Sequence, residues 1–182
     1  MVEDRIGYRY AKSAFSLAVE QKQLDQVQAD MALVHRVVEE NRELRMLLDS
    51  PLVHASKKQA VLDGIFKSHY QSEITPLLVQ MVVRKGRERY LPQVTHAFLS
   101  MYDEDQGIVR GVLTSAAPLS AKTQQEIKAV VEKETGKRLI METKEDASLI
   151  GGFTLKVGDR LFDGTIVSGL RRLRQRFKHS VA

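Results

Sequence analysis

Apolar residues in the first hundred positions recur every three or four residues, the period that lines one side of an α-helix. That spacing predicts a first helix over about 7–20 and a second whose stripe carries Leu24, Val27, Met31, Val34 and Val38. A short third helix holds Leu44, Leu47 and Leu48. It stops at Pro51, because the residue before a proline is pushed out of helical torsions. Ser56 with Gln59 three residues later has the spacing of a capping box and predicts a fourth helix through Val61, Leu62, Ile65 and Phe66. A fifth begins near Ser72, with Pro76 tolerated close to its first turn, and a sixth follows Gly86 and ends before Gly107.

Two of these helices have more apolar surface than a single core needs. At 100° per residue, Tyr8, Ala11, Phe15, Ala18 and Val19 share one stripe of the first helix, and Tyr10, Ala14 and Leu17 form a second. In the fifth, Ile74, Leu77, Leu78, Met81 and Val82 form a broad face, with Val79 and Val83 opposite. A helix apolar on two sides is either central in its bundle or shared with a partner.

Beyond Gly107 the pattern changes. Ile108 to Thr114 is rich in β-branched residues and reads as a strand, so Gly107 marks a boundary between residues 1–106 and 107–182. A helix over about 120–135 is closed by Gly136, and a second strand follows from Leu139 to Thr143. The stretch from Leu149 to Leu173 is the most constrained of all. Gly151 and Gly152 permit a sharp turn into a strand where Phe153, Leu155 and Val157 alternate with Thr154 and Lys156. Gly158 and Asp159 supply a two-residue hairpin turn, and Arg160 to Asp163 the return arm. After Asp163 and Gly164 the period becomes helical again, through Ile166, Leu170, Leu173 and Phe177. The fold class expected is mainly α: an N-terminal bundle of about six helices followed by a small α/β C-terminal domain.

Composition narrows the functions open to such a chain. With 182 residues, 43% hydrophobic and 28% charged, it reads as a soluble globular protein able to bury one large core or two small ones. The absence of cysteine removes disulfides, thiolate catalysis and Cys-ligated zinc. The longest dense apolar run, Leu77 to Val83, is far short of the roughly 20 residues of a membrane span. The N-terminus carries acid and lacks the apolar core of a signal peptide, so residence on the cytoplasmic side is expected. The net charge of +5 is uneven: residues 1–106 hold 14 Lys and Arg against 15 Asp and Glu, whereas residues 107–182 hold 14 against 8. The two halves therefore present different fields to their partners.

Candidate chemistry is sparse. The glycines form neither a phosphate loop nor a dinucleotide fingerprint, since Val131 stands where the first glycine of a phosphate loop would be and Gly151-Gly152 opens no helix directly. His35, His54, His69, His96 and His179 never pair at the i, i+4 spacing of a helical metal site and read as surface histidines. Adjacent carboxylates such as Glu39-Glu40 and Asp103-Glu104-Asp105 point in different directions and do not converge for acid/base work. The final helix carries Arg171, Arg172, Arg174, Arg176 and Lys178, a set open to three readings: an acidic protein partner, a nucleic-acid backbone, or a solvated face.

Taken in order, Tyr10-Ala11-Lys12-Ser13-Ala14-Phe15, the Ser50-Pro51 break followed by Lys57, the Arg89 region, Ser115-Ala116-Ala117-Pro118-Leu119-Ser120 and the double-glycine hairpin resemble the ATP synthase delta subunit family, the bacterial counterpart of the mitochondrial oligomycin-sensitivity conferral protein. The likeness spans almost the whole chain. Its most specific part is the hairpin and following helix, with Gly151, Gly152, Gly158, Asp159, Asp163 and Gly164 as the structural motif. Departures are modest: Thr165 stands where serine is common and Phe153 where an aliphatic residue is frequent.

The resemblance implies a stator component that performs no chemistry and needs no cofactor or metal. Its N-terminal domain would bind the N-terminal helices of the alpha subunits on the catalytic head, and its C-terminal domain the distal ends of the b subunits of the peripheral stalk. Rotor torque would then drive ATP synthesis, with the chain peripheral on the cytoplasmic face of the cell inner membrane and not inserted in it. The family's groove lies between the first and fifth helices, which nominates Tyr10, Ala14, Leu17, Val79 and Val83 as head contacts. Arg171, Arg172, Arg174 and Arg176 are the corresponding nominees for the stalk. The alternative expectation is a nucleic-acid-binding module built on the basic final helix.

Overall fold

Small side chains decide how the N-terminal helices approach one another. The computed structural model describes residues 2–158, 160–171 and 174, and the chain divides into two units, Met1–Asp105 and Gln106–Ala182. In the first unit α1 (Val2–Glu20) turns Ala11, Ala14 and Ala18 inward. Gly7 lies so near Gln93 that a Cβ there would meet its backbone at 2.8 Å, which lets α1 lie tightly along α6 (Leu91–Asp105). Phe15 and Phe98 fill the space beside the alanines, with ring centroids 5.7 Å apart and the planes tilted by 58°.

The remaining helices are α2 (Leu24–Glu40), α3 (Arg42–Asp49), α4 (Ala55–Phe66) and α5 (Ile74–Arg84), and a 3-10 turn at Glu88–Tyr90 leads into α6. Their apolar stripes meet in two clusters. One joins Ala11, Ala14, Ala18, Val27, Met31, Ile74, Leu78, Val82, Val94 and Phe98. The other joins Val34, Val38, Leu44, Leu48, Leu62, Phe66, Val79, Val83 and Leu91. Helix α5 contributes to both.

Two buried polar arrangements fix the loops of this unit. Asp30 accepts hydrogen bonds from the Gln71 and Ser72 amides at 2.8 and 3.1 Å and from Ser72 Oγ at 2.8 Å. Ser72 Oγ in turn accepts from the Thr75 amide at 3.3 Å, so the entry to α5 is pinned to the middle of α2. Lys58 Nζ donates to the Leu48 carbonyl at 2.7 Å and to Glu88, tying α4 to the end of α3 and to the 3-10 turn. The expected capping box at Ser56 does not form. Helix α4 begins at Ala55, two residues earlier than that cap implies, after His54 and without a side-chain cap, and Gln59 instead donates to Asp63 Oδ1. Helix α1 also begins earlier than its apolar stripe suggests, at Val2.

Among the described residues, the second unit is a four-stranded sheet of order β2-β1-β3-β4 with one long helix. Strand β1 (Ile108–Ser115) pairs in parallel with β2 (Arg138–Glu145), and α7 (Ala121–Thr135) makes the crossover. The Ser120 side chain caps α7 by accepting from the Thr123 amide, and Gly136 ends it at φ +66. Strands β3 (Phe153–Val157) and β4 (Arg160–Asp163) form the hairpin, with β3 antiparallel to β1. Leu113, Val131, Leu139, Leu155 and Val157 make the core of this unit. Gly111 is the one inward position of β1 without a side chain; a Cβ there would come within 3.2 Å of Val157, Leu139 and Leu155.

The double glycine does more than turn the chain. Gly151 and Gly152 take φ +156 and +86, and a Cβ on Gly152 would collide with the Gly164 carbonyl oxygen. The Gly151 carbonyl accepts from the Ile166 amide at 3.1 Å, and the Phe153 carbonyl from the Gly164 amide at 2.9 Å. The Asp163 carboxylate accepts from the Thr165 amide and hydroxyl and from Ser168 Oγ, opening a helical segment over 166–171. The glycine pair is thus the bed on which that segment is laid. Asp159 and Leu173 to His179, apart from Arg174, lie outside the described residues, and so does Arg172.

Candidate partner-binding site

Helices α1 and α5 run side by side and leave an apolar furrow between them. Arg87, just past the end of α5, donates through Nη1 to Tyr10 Oη at 3.2 Å, with its guanidinium carbon 5.7 Å from the Tyr10 ring centroid. Arg87 thus lies at Tyr10, and the α5 residues that precede it line the furrow with Ser13, Ala14 and Leu17, which follow Tyr10, so the two helices run antiparallel. The furrow encloses about 250 Å³ and is lined by Arg9, Tyr10, Ser13, Ala14 and Leu17 from α1 and by Ile74, Leu77, Leu78 and Met81 from α5.

Three of the five residues nominated from sequence for this surface are there: Tyr10, Ala14 and Leu17. The other two are corrected by the structure. Val79 and Val83 are each 2% exposed and belong to the second buried cluster, because the face of α5 opposite the furrow is covered by α2, α3 and α4 residues. The outward apolar residues of α5 are Leu77, 59% exposed, and Met81, 50% exposed. On α1 the division also differs from the expected stripes: Tyr8 and Val19 are exposed, while Ala14 serves the core and the furrow at once.

A second hollow, of about 500 Å³, is lined by Tyr8, His35, Glu39, Pro92, Gln93, His96 and Ala97. His35 is not the plain surface residue expected. It is half-buried, its Nδ1 lies 3.0 Å from Thr95 Oγ1, and its ring centroid is 6.1 Å from that of His96. Burial lowers its pKa from the usual histidine value, the His96 charge acts the same way, and Glu39 opposes them. Among the described residues no group of three or more His, Asp or Glu is placed to hold a metal ion, and no helix is long and apolar enough to cross a membrane.

In the second unit, Arg171 and Arg174 are exposed on the helical segment after the hairpin, together with Ile166, Val167 and Leu170. Arg172 and Arg176 lie outside the described residues. The basic residues are thus accompanied by exposed apolar side chains, a combination suited to docking a protein surface.

A family model described as "ATP synthase delta (OSCP) subunit" matches residues 6–177. Among curated relatives, the chain is 33% identical over 171 residues to the ATP synthase subunit delta of Brevibacillus brevis, covering 94% of this chain and 97% of that one. It is 32% identical over 181 residues to the ATP synthase subunit delta of Cytophaga hutchinsonii, covering 100% and 98%. Among solved structures, a chain of the Toxoplasma gondii mitochondrial ATP synthase hexamer superposes with a TM-score of 0.72 at 28% identity, covering 94% of this chain and 96% of that one.

Proposed function

This chain belongs to the ATP synthase delta (OSCP) subunit family, and on that premise we propose that it is a non-catalytic stator subunit linking the catalytic head of a rotary ATP synthase to the peripheral stalk. In this reading the unit Met1–Asp105 holds the head through the N-terminal helices of alpha subunits, and the unit Gln106–Ala182 holds the C-terminal ends of the b subunits. The complex couples ion flow to ATP synthesis, and the chain sits peripherally on the cytoplasmic side of the membrane.

The observation that carries this reading is the furrow between α1 and α5. Leu17, Leu77 and Met81 leave apolar surface uncovered beside a well-packed core, in the shape that accepts one amphipathic helix. For the stalk, Ile166, Leu170, Arg171 and Arg174 are the surface we assign, with Arg172 and Arg176 as the sequence-based members of the same set.

A peptide copying the N-terminal helix of the cognate alpha subunit, added to the full chain, is expected to slow amide exchange over 9–17 and 74–84. Protection confined to residues 106–171 would overturn the assignment of the head to the first unit.

A further inference from the structure

The furrow is apolar at its floor but not at its rim. On α1, Arg9 and Glu20 lie within about 20° of each other around the helix and about 16 Å apart along it. On α5, Glu73, the residue before Ile74, and Arg84 have the same angular relation and the same separation of eleven residues. All four are exposed. Each sits on the solvent side of the apolar residues that line the furrow, since Ser13 and Leu17 continue the Arg9–Glu20 flank and Leu77 continues the Glu73–Arg84 flank.

The order of charges on the two helices is opposite. Arginine comes first on α1 and glutamate first on α5, but the helices are antiparallel. The Arg87–Tyr10 hydrogen bond puts the end of α5 beside the middle of α1, next to Arg9, and the rest of α5 runs alongside the C-terminal half of α1. Arg9, Arg84 and Arg87 therefore gather at one end of the furrow, and Glu20 and Glu73 at the other. Lys22, the nearest cation in sequence to the acidic end, lies past the end of α1 at φ +56.

We infer that the furrow is a polarised dock: it takes an amphipathic helix carrying acidic residues at the end that meets Arg9, Arg84 and Arg87 and basic residues at the end that meets Glu20 and Glu73. This rests on the furrow being a helix-binding site, as proposed above, and adds the direction in which the helix lies. Apolar contacts along the floor hold a helix of either direction about equally. Exposed charge pairs add little affinity singly, but four or five arranged end to end select one direction over its reverse.

The probe is a synthetic amphipathic helix of about 20 residues, long enough to span the furrow, with glutamates in one terminal turn, lysines in the other, and a nitroxide at the glutamate end. Titrated into the isotope-labelled full chain, it is expected to broaden Tyr10 and Met81 more than Leu17 and Ile74. A peptide of the same composition with its charges shuffled is expected to bind about tenfold more weakly at low salt. In the quadruple variant Arg9→Glu, Arg84→Glu, Glu20→Lys, Glu73→Lys, whose changes are all exposed, the broadening is expected to move to Leu17 and Ile74. If the polarised peptide binds the furrow but its labelled end stays put in the charge-reversed variant, or shows no preference in the native chain, the polarity is overturned and the dock stands. If no amphipathic peptide shifts the furrow resonances, the dock itself is overturned and the polarity with it.

Discussion

The ammonium of Lys58 lies 2.6 Å from the Glu88 carboxylate, with the two side chains only 3% and 11% exposed. The pair is completed on one side by the Leu48 carbonyl, whereas Glu88 Oε2 is buried without a hydrogen-bond partner among the described residues. Taking two charges out of water costs more than such a pair returns unless every lone pair is satisfied. Lys58→Met is therefore expected to destabilise by about 3–5 kcal/mol, since it strands the carboxylate, and Lys58→Met with Glu88→Leu to recover most of that loss. Urea unfolding of the two variants checks it; equal losses would mean the pair itself stabilises.

Residues facing opposite sides of α5 separate binding from stability. Leu77→Asp and Met81→Asp leave both buried clusters intact and are expected to abolish binding of the head peptide with a stability change of about 0.5 kcal/mol. Val79→Ala and Val83→Ala cut methyl groups from the second cluster and are expected to cost about 1–3 kcal/mol while leaving peptide affinity unchanged. Calorimetric titration beside thermal melts reads both quantities.

Glycines in this chain have opposite expected signs. Gly152→Ala drives a methyl into the Gly164 carbonyl at φ +86, and is expected to destabilise the second unit by about 2 kcal/mol or more. Gly64, inside α4, has open space for 4 Å around the place a methyl would take, and its change to alanine is expected to gain about 0.5–1 kcal/mol. Amide exchange of the two units assigns each change to its own core.

His35 sets a pH dependence. Its folded-state pKa lies below the ordinary histidine value of 6.5, so the unfolded chain binds more protons in the window just under pH 6.5. The stability contributed by neutral His35 is fully present above that value and is lost as pH falls toward the lower folded pKa. Between about pH 7 and 5 the melting temperature is expected to fall less steeply in His35→Gln than in the native chain. Identical slopes would show that the ring titrates alike folded and unfolded.

Element types were legible because period and punctuation agree in this chain. Leu24 to Val38 gives one stripe and one helix, and Ser120 and Gly136 bracket α7 as their backbone preferences dictate. The direction each face of α5 takes was not legible from its apolar residues, since both sides carry them. The usable signal was polar: Glu73, Gln80 and Arg84 border Leu77 and Met81 and so mark the outer side. Ser56 misled because the helix already starts at Ala55, upstream of it, with His54 as the flanking residue. The Arg87–Tyr10 contact spans 77 residues of sequence and has no local signature, and neither does the packing of Gly152 on Gly164. The roles proposed for the two units rest on partners that no intrachain pattern encodes.

Helix α5 offers Leu77 and Met81 to solvent, sends Ile74, Leu78 and Val82 into one buried cluster, and sends Val79 and Val83 into the other. A tether fastened to its outer side consequently pulls on both halves of the bundle together. Peeling the helix away breaches two cores in a single event, so tension is shared rather than met by one weak seam. In the stator role proposed above, an attachment point of this design would resist a twisting load by failing late and all at once.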